Sequence, residues 1–177
     1  MRSNEGTRTG RRRSPYRVAA ALAIVMFLVL APEINEGHAM DPTIQDGQLL
    51  LTSKSSYSIK RKTPDQGKLV ILKKPLSLEI ADDNIIARVI AGDGDHVQIT
   101  GGKVLVNGEE YVAPGNIRGA KGEMDVTLEG NEVFLLCDDR SEILDSRNPK
   151  LGPVDMREIK GNVLLRLWPI REFGRIR

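Results

Sequence analysis

By residue type, His38 and Cys137 are a candidate nucleophilic pair in this sequence. A cysteine thiol whose proton is taken by an imidazole is a working nucleophile. Sequence separation does not show that the two converge, and a lone histidine and a lone buried cysteine more often serve packing. His38 opens the run HAMDPTIQDG (38–47), which reads as the edge of an active site. A nucleophile would be useful just before Met40, yet Ala39 stands there. His38 and His96 lack metal-ligand spacing. GDGD (92–95) has the aspartates of a calcium loop without its remaining acidic ligands, and a hairpin turn accounts for it better. The expectation is no metal and no cofactor.

The elements that must position these residues read mainly as strands. QLLLTSK (48–54) and KLVILKK (68–74) are short β-rich runs bounded by turn residues. NIIARVIAG (84–92) is apolar enough to be buried on both faces. HVQITGGKVLVNGEEYV (96–112) holds two alternating runs around Gly101-Gly102, then Asn107-Gly108, which predicts a hairpin continuing into a third strand. Residues 113–131 read as a loop or weak hairpin, EVFLLC (132–137) as a buried strand and 138–154 as irregular. DMREI (155–159) reads as one helical turn, and GNVLLRLWPI (161–170) as the last strand, ended by Pro169.

At 177 residues, one domain with a short appendage is expected. The net charge of +2 does not suggest a nucleic-acid partner. The charge is unevenly placed: Arg2, Arg8, Arg11, Arg12, Arg13 and Arg17 face one acid, Glu5, ahead of the uncharged run VAAALAIVMFLVLA (18–31). A basic flank before an apolar run inserts with the N-terminus inside. The run fits either a cleaved signal peptide or an uncleaved anchor. As a helix it spans ~21 Å against a ~30 Å hydrocarbon core. Extension through Ile34 and snorkelling of Arg17 narrow the gap, while Pro32 makes cleavage after Ala31 awkward. The expected organisation is a basic cytoplasmic tail (1–17), a membrane anchor (18–34) and an extracytoplasmic antiparallel β domain (35–177). A single cysteine leaves no intramolecular disulfide.

AMDPTIQDGQLLL, ARVIAGDGDHVQITGGKVLVNG, DDRSEILDSRNPKLGPV and GNVLLRLWP occur in this order. Their order and spacing behind the apolar run resemble the type I signal peptidases, membrane-anchored serine proteases, over roughly residues 16–170. The family's first motif is Ser-Met-x-Pro-Thr. Met40, Pro42 and Thr43 match it, with Ala39 at the nucleophile. The second is Lys-Arg-Val-x-Gly-x-x-Gly-Asp. Arg88, Val89, Gly94 and Asp95 match, with Ala87 at the general base. The third is Gly-Asp-Asn-Arg-x-x-Ser-x-Asp-Ser-Arg. Asp138, Arg140, Asp145, Ser146 and Arg147 match, with Cys137 at the Gly, Asp139 at the Asn and Ile143 at the supporting Ser.

The resemblance implies a signal-peptidase-type β fold and a substrate groove at Met40, Asp41, Pro42 and Ile86. It also implies an ion pair of Asp145 with Arg147 that braces the region. A serine hydroxyl needs a neighbour to take its proton, and the family's lysine does so because burial lowers its pKa. Ala39 has no hydroxyl, Ala87 no amine and Ile143 no polar atom. The resemblance is therefore to the family's non-catalytic members, including pilus-associated ones. It implies a single-pass membrane protein acting as a chaperone or assembly factor for a secreted protein or pilin. The alternatives are an active signal peptidase and a non-catalytic partner of one. Asp145 and Arg147 could also simply solvate a loop.

Overall fold

A computed structural model describes residues 15–54, 63–73 and 84–176. Helix α1 (Pro15–Val29) leads directly into β1 (Leu30–Ile34). β1 pairs antiparallel with β2 (Leu49–Lys54), Leu30 against Ser53 and Ile34 against Leu49. The segment 18–34 therefore divides. It is helical only to Val29, and residues 30–34 are an edge strand of the domain, which corrects the expected extension of the helix through Ile34. The Arg-rich tail lies outside the described residues as far as position 14. Among the described residues no helix is long and apolar enough to cross a membrane.

The strands that follow are β3 (Leu69–Lys73), β4 (Asn84–Ala91), β5 (His96–Thr100), β6 (Lys103–Val106) and β7 (Glu109–Glu110). After them come β8 (Met124–Thr127), β9 (Glu132–Leu136), β10 (Val154–Asp155) and β11 (Ile159–Trp168). Among the described residues, seven strands form one sheet in the order β1-β2-β11-β3-β4-β9-β10, and four form a second in the order β7-β6-β5-β8. Every pairing between these strands is antiparallel. The mainly β, antiparallel domain read from the sequence is thus present, with one addition. The stretch 113–131 contains β8, which pairs with β5 through Ile99 and Met124.

β3 and β4 read as continuous apolar runs because the large sheet is covered on both faces. Val70, Leu72, Ile85, Ala87 and Val89 point into one core with Leu135, Met156 and Ile159. Leu69, Ile71 and Ile86 alternate to the other side, against Met40, Ile44 and Leu50. Where β4 runs on, Ile90, Phe134 and Leu136 pack with Val97, Ile99 and Val104 of the second sheet and join the two sheets.

The turns follow their residues. Asn107 and Gly108 both have positive φ, 52° and 84°, the conformation a tight β6–β7 hairpin requires. In GDGD the Asp95 carboxylate accepts the Gly92 N–H at 2.9 Å and the Asn107 side-chain amide at 2.8 Å, so it fastens a turn. A Cβ at Gly92 would lie 2.1 Å from Thr63 Cγ2, so any larger residue there displaces the threonine side chain.

Candidate functional site

β3 pairs the first part of β4, from Asn84 opposite Lys73 to Arg88 opposite Leu69. On its other side β9 pairs only from Arg88, opposite Leu136, onward. One step further along that register sets Cys137 across from Ala87. The ladder stops there because the Cys137 N–H turns to the Asp145 carboxylate, at 2.9 Å. Among the described residues no strand continues alongside Asn84–Ala87, and a cleft of about 430 Å³ opens there. Residues 33–40, Asn84, Ile85, Ile86, Glu142 and Leu144 line it.

The turn that carries Ala39 is held from several sides. Asn35 exchanges backbone bonds with Gln48 and Gly47, at 2.9 and 2.8 Å. The Ile44 N–H bonds Met40 O at 2.9 Å, and the Met40 side chain is buried. The Asp139 N–H donates to Ala39 O at 3.0 Å and ties the third motif to the first. Asp139 is itself fixed by the Ser141 N–H and hydroxyl, at 2.8 and 2.6 Å, which hold its carboxyl below the usual range.

The loop 138–147 is built on two buried ion pairs. Asp145 and Arg147 meet in a fork, Nε to Oδ1 at 2.9 Å and Nη2 to Oδ2 at 2.6 Å. Arg147 reaches on to the carbonyls of Arg140, at 2.8 Å, and of Glu142. The second pair was not foreseen. Arg88 is fully buried and donates from Nε to Asp138 Oδ1 at 2.8 Å, from Nη2 to Oδ2 at 2.5 Å and from Nη1 to Gly67 O at 2.7 Å. A signal for it was present, because a charge inside NIIARVIA must find a partner. Arg140 sits beside this pair, partly buried, and burial lowers its affinity for its proton.

The residues singled out from the sequence separate into groups. Ala39, Met40 and Ile86 line the cleft, whereas Asp41 and Pro42 stand outside its lining. Ala87 is fully buried on the face of β4 that holds Ile85 and Val89. Ile143 is 47% exposed and does not fill the cleft. Glu33, Glu36, Asn84 and Glu142 in the lining escaped the sequence reading, since no periodicity marks a turn residue as facing a groove.

Cys137 and His38 do not form a nucleophilic pair. His38 is exposed, and its Nδ1 lies 3.0 Å from Asp41 Oδ2. Cys137 is fully buried, and its thiol donates to Leu144 O at 3.5 Å. Burial, and after it the nearby Asp145 carboxylate, pushes the thiol far above its ordinary value of 9.0. The unfolded chain releases this proton near its ordinary value while the folded chain keeps it, so this contribution to stability falls as pH rises above about 9. A disulfide reagent at pH 8 should label native Cys137 at least ~100-fold more slowly than the denatured chain. Rapid labelling of the native protein would show an accessible thiolate.

The chain matches the family described as signal peptidase, peptidase S26, over residues 14–168. It is 31% identical over 179 residues to signal peptidase I of Bacillus caldolyticus, covering 92% of this chain and 93% of that protein. It is 30% identical over 164 residues to thylakoidal processing peptidase 1 of Arabidopsis thaliana, covering 85% of this chain and 46% of that one. The chain thus spans about half the length of the Arabidopsis relative. A solved signal peptidase I from Enterococcus faecalis superposes with a TM-score of 0.46 and 18% identity, over 57% of this chain and 97% of that one. With the family match running through the helix, the cleft and both ion-paired motifs, the chain belongs to the signal peptidase S26 family.

Proposed function

We propose that this chain is a non-cleaving member of its family. It holds an extended segment of a secreted protein in the cleft and serves as a membrane-associated chaperone or assembly factor. The observation that carries the reading is Ala39. It lies in the cleft wall, and the motif resemblance assigns it the nucleophile's position, where it has only a methyl group to offer. Ala87, which the same resemblance assigns to the base, contributes a methyl to the core. His38 and Cys137 do not replace them, for the reasons of geometry and burial given above.

Binding does not need the missing atoms. An extended segment laid along Asn84–Ile86 would complete the sheet through backbone hydrogen bonds, the mode in which main chain gives affinity and side-chain pockets give selectivity. The two buried ion pairs support this reading, since they hold the cleft walls and require no catalysis to be useful. The resemblance to pilus-associated members makes a pilin one client to test. The basic flank and apolar helix favour attachment to the membrane with the β domain outside.

The test is one incubation with two readouts. Full-length protein in detergent is mixed with a preprotein bearing its signal peptide, with the Bacillus caldolyticus signal peptidase I as control. Capture of the uncut preprotein is the expected result. Processing of the preprotein, abolished by His38→Ala or Cys137→Ala, would overturn the proposal.

A further inference from the structure

After Trp168 the chain turns through Ile170–Glu172 and folds back on β11, where Arg166 and Gly174 exchange backbone hydrogen bonds at 2.8 and 3.2 Å. The fold-back sets Glu172 behind the turn that forms one wall of the cleft. A single carboxylate oxygen, Glu172 Oε2, accepts from Gln48 Nε2 and from Arg166 Nη1, each at 3.0 Å. Both donors lead on to the cleft, by separate paths. The Gln48 carbonyl accepts the Asn35 N–H at 2.9 Å, and Asn35 lines the cleft. Arg166 continues through Nη2 to Thr43 O, inside the turn that Met40 opens, and Met40 lines the cleft as well. Gln48 is buried, and the Arg166 side chain is only 15% exposed. Among the described residues Glu172 is the one hydrogen-bond partner of the Gln48 side chain and the one countercharge of Arg166, since Gln48 Oε1 and Arg166 Nε are buried without a partner.

We infer that Glu172 is a positioning residue for the cleft. By holding Gln48 and Arg166 on one oxygen it sets the turn 40–48, and through that turn the wall at Asn35 and Met40. The inference rests on the proposed peptide-holding role of the same cleft and adds a residue that tunes it from outside. Glu172 lies past residue 168, where the family match ends, so the matched motifs do not supply it. Without its carboxylate a buried amide has nothing to bond and a largely buried guanidinium has no countercharge, and both losses fall on this turn. The Glu172 side chain is 32% exposed, so water screens part of the effect.

Two readouts on the full chain in detergent test this. One is hydrogen exchange of the segments 35–48 and 84–91, and the other is capture of a labelled preprotein bearing its signal peptide. In Glu172→Ala the amides of 35–48 should exchange about 10-fold faster while those of 84–91 keep their rate, and affinity for the preprotein should fall by about the same factor. Gln48→Glu alone sets two carboxylates face to face and should have the same effects. Gln48→Glu combined with Glu172→Gln returns an amide to a carboxylate and keeps a negative charge beside Arg166, so both readouts should recover to within about 2-fold of the unaltered chain. Failure of this exchange of partners to recover them, or equal acceleration in 84–91, would overturn the inference by making Glu172 a matter of general stability. A loosened turn with unchanged affinity would overturn it too and leave the peptide-holding cleft standing. No capture by the unaltered chain would overturn the peptide-holding role, and hydrogen exchange would still decide whether Glu172 sets the turn.

Discussion

Asp138→Ala is expected to destabilise the folded chain by about 3–5 kcal/mol, and Asp145→Ala by a similar amount. Arg88 and Asp138 both have side chains wholly out of water. Taking such charges from water is costly, and their attraction offsets that cost only when the remaining hydrogen-bonding capacity is filled. Here it is largely filled, by a fork between the two groups and by Gly67 O. Removing the carboxylate leaves a guanidinium in the interior without its countercharge. Asp145 accepts two N–H groups of the Arg147 side chain and the backbone N–H groups of Cys137 and Arg147. Its loss frees the loop that bonds Ala39 O as well.

Urea denaturation of each variant gives the numbers. The control is the double replacement Arg88→Met with Asp138→Leu, expected to lie closer to the unaltered chain than either single change. A shape-matched apolar pair strands no charge. Single-variant losses under 1 kcal/mol would mean that the groups reach water in solution.

Much of this architecture is legible in the sequence, and the parts that are not share a cause. β3, β4 and β9 announce themselves because strands covered on both faces carry unbroken apolar runs. β5 and β6 announce themselves by alternation around Gly101-Gly102. β1 is hidden, since LAPEI continues an apolar helix and contains a proline. It is tolerated there because β1 is an edge strand whose outer side needs no ladder bond. β8 is hidden because MDVT has only intermediate burial. The cleft is legible only in part for a related reason. Met40 and Ile86 are marked by motif and pattern. Glu33, Glu36 and Glu142 become neighbours only when β1, the turn 35–48 and the loop 138–147 fold together.

Cleavage by the unaltered chain is expected to be on the order of 10⁶ slower than by a relative with hydroxyl and amine in place, because coupled members of a catalytic site fail together. Ala39→Ser alone should therefore gain nothing, having no group to take its proton. Ala39→Ser with Ala87→Lys supplies both atoms but drives a long side chain toward Val70, Leu72 and Leu135, beside Cys137. Burial there would lower the amine's pKa, as a general base requires. Overpacking should cost about 1–3 kcal/mol and hold the amine out of line. Adding Cys137→Gly opens the place opposite residue 87, and Ile143→Ser returns a hydroxyl to the loop. Cleavage of a preprotein should appear in the variant carrying all four changes and in none with Ala at 39 or 87, as read by product formation over days. The four-fold variant, folded and binding peptide yet inert, would show that Ala39 and Ala87 do not occupy the places of nucleophile and base. Activity in Ala39→Ser alone would show that another group near the cleft, His38 first, already acts as the base.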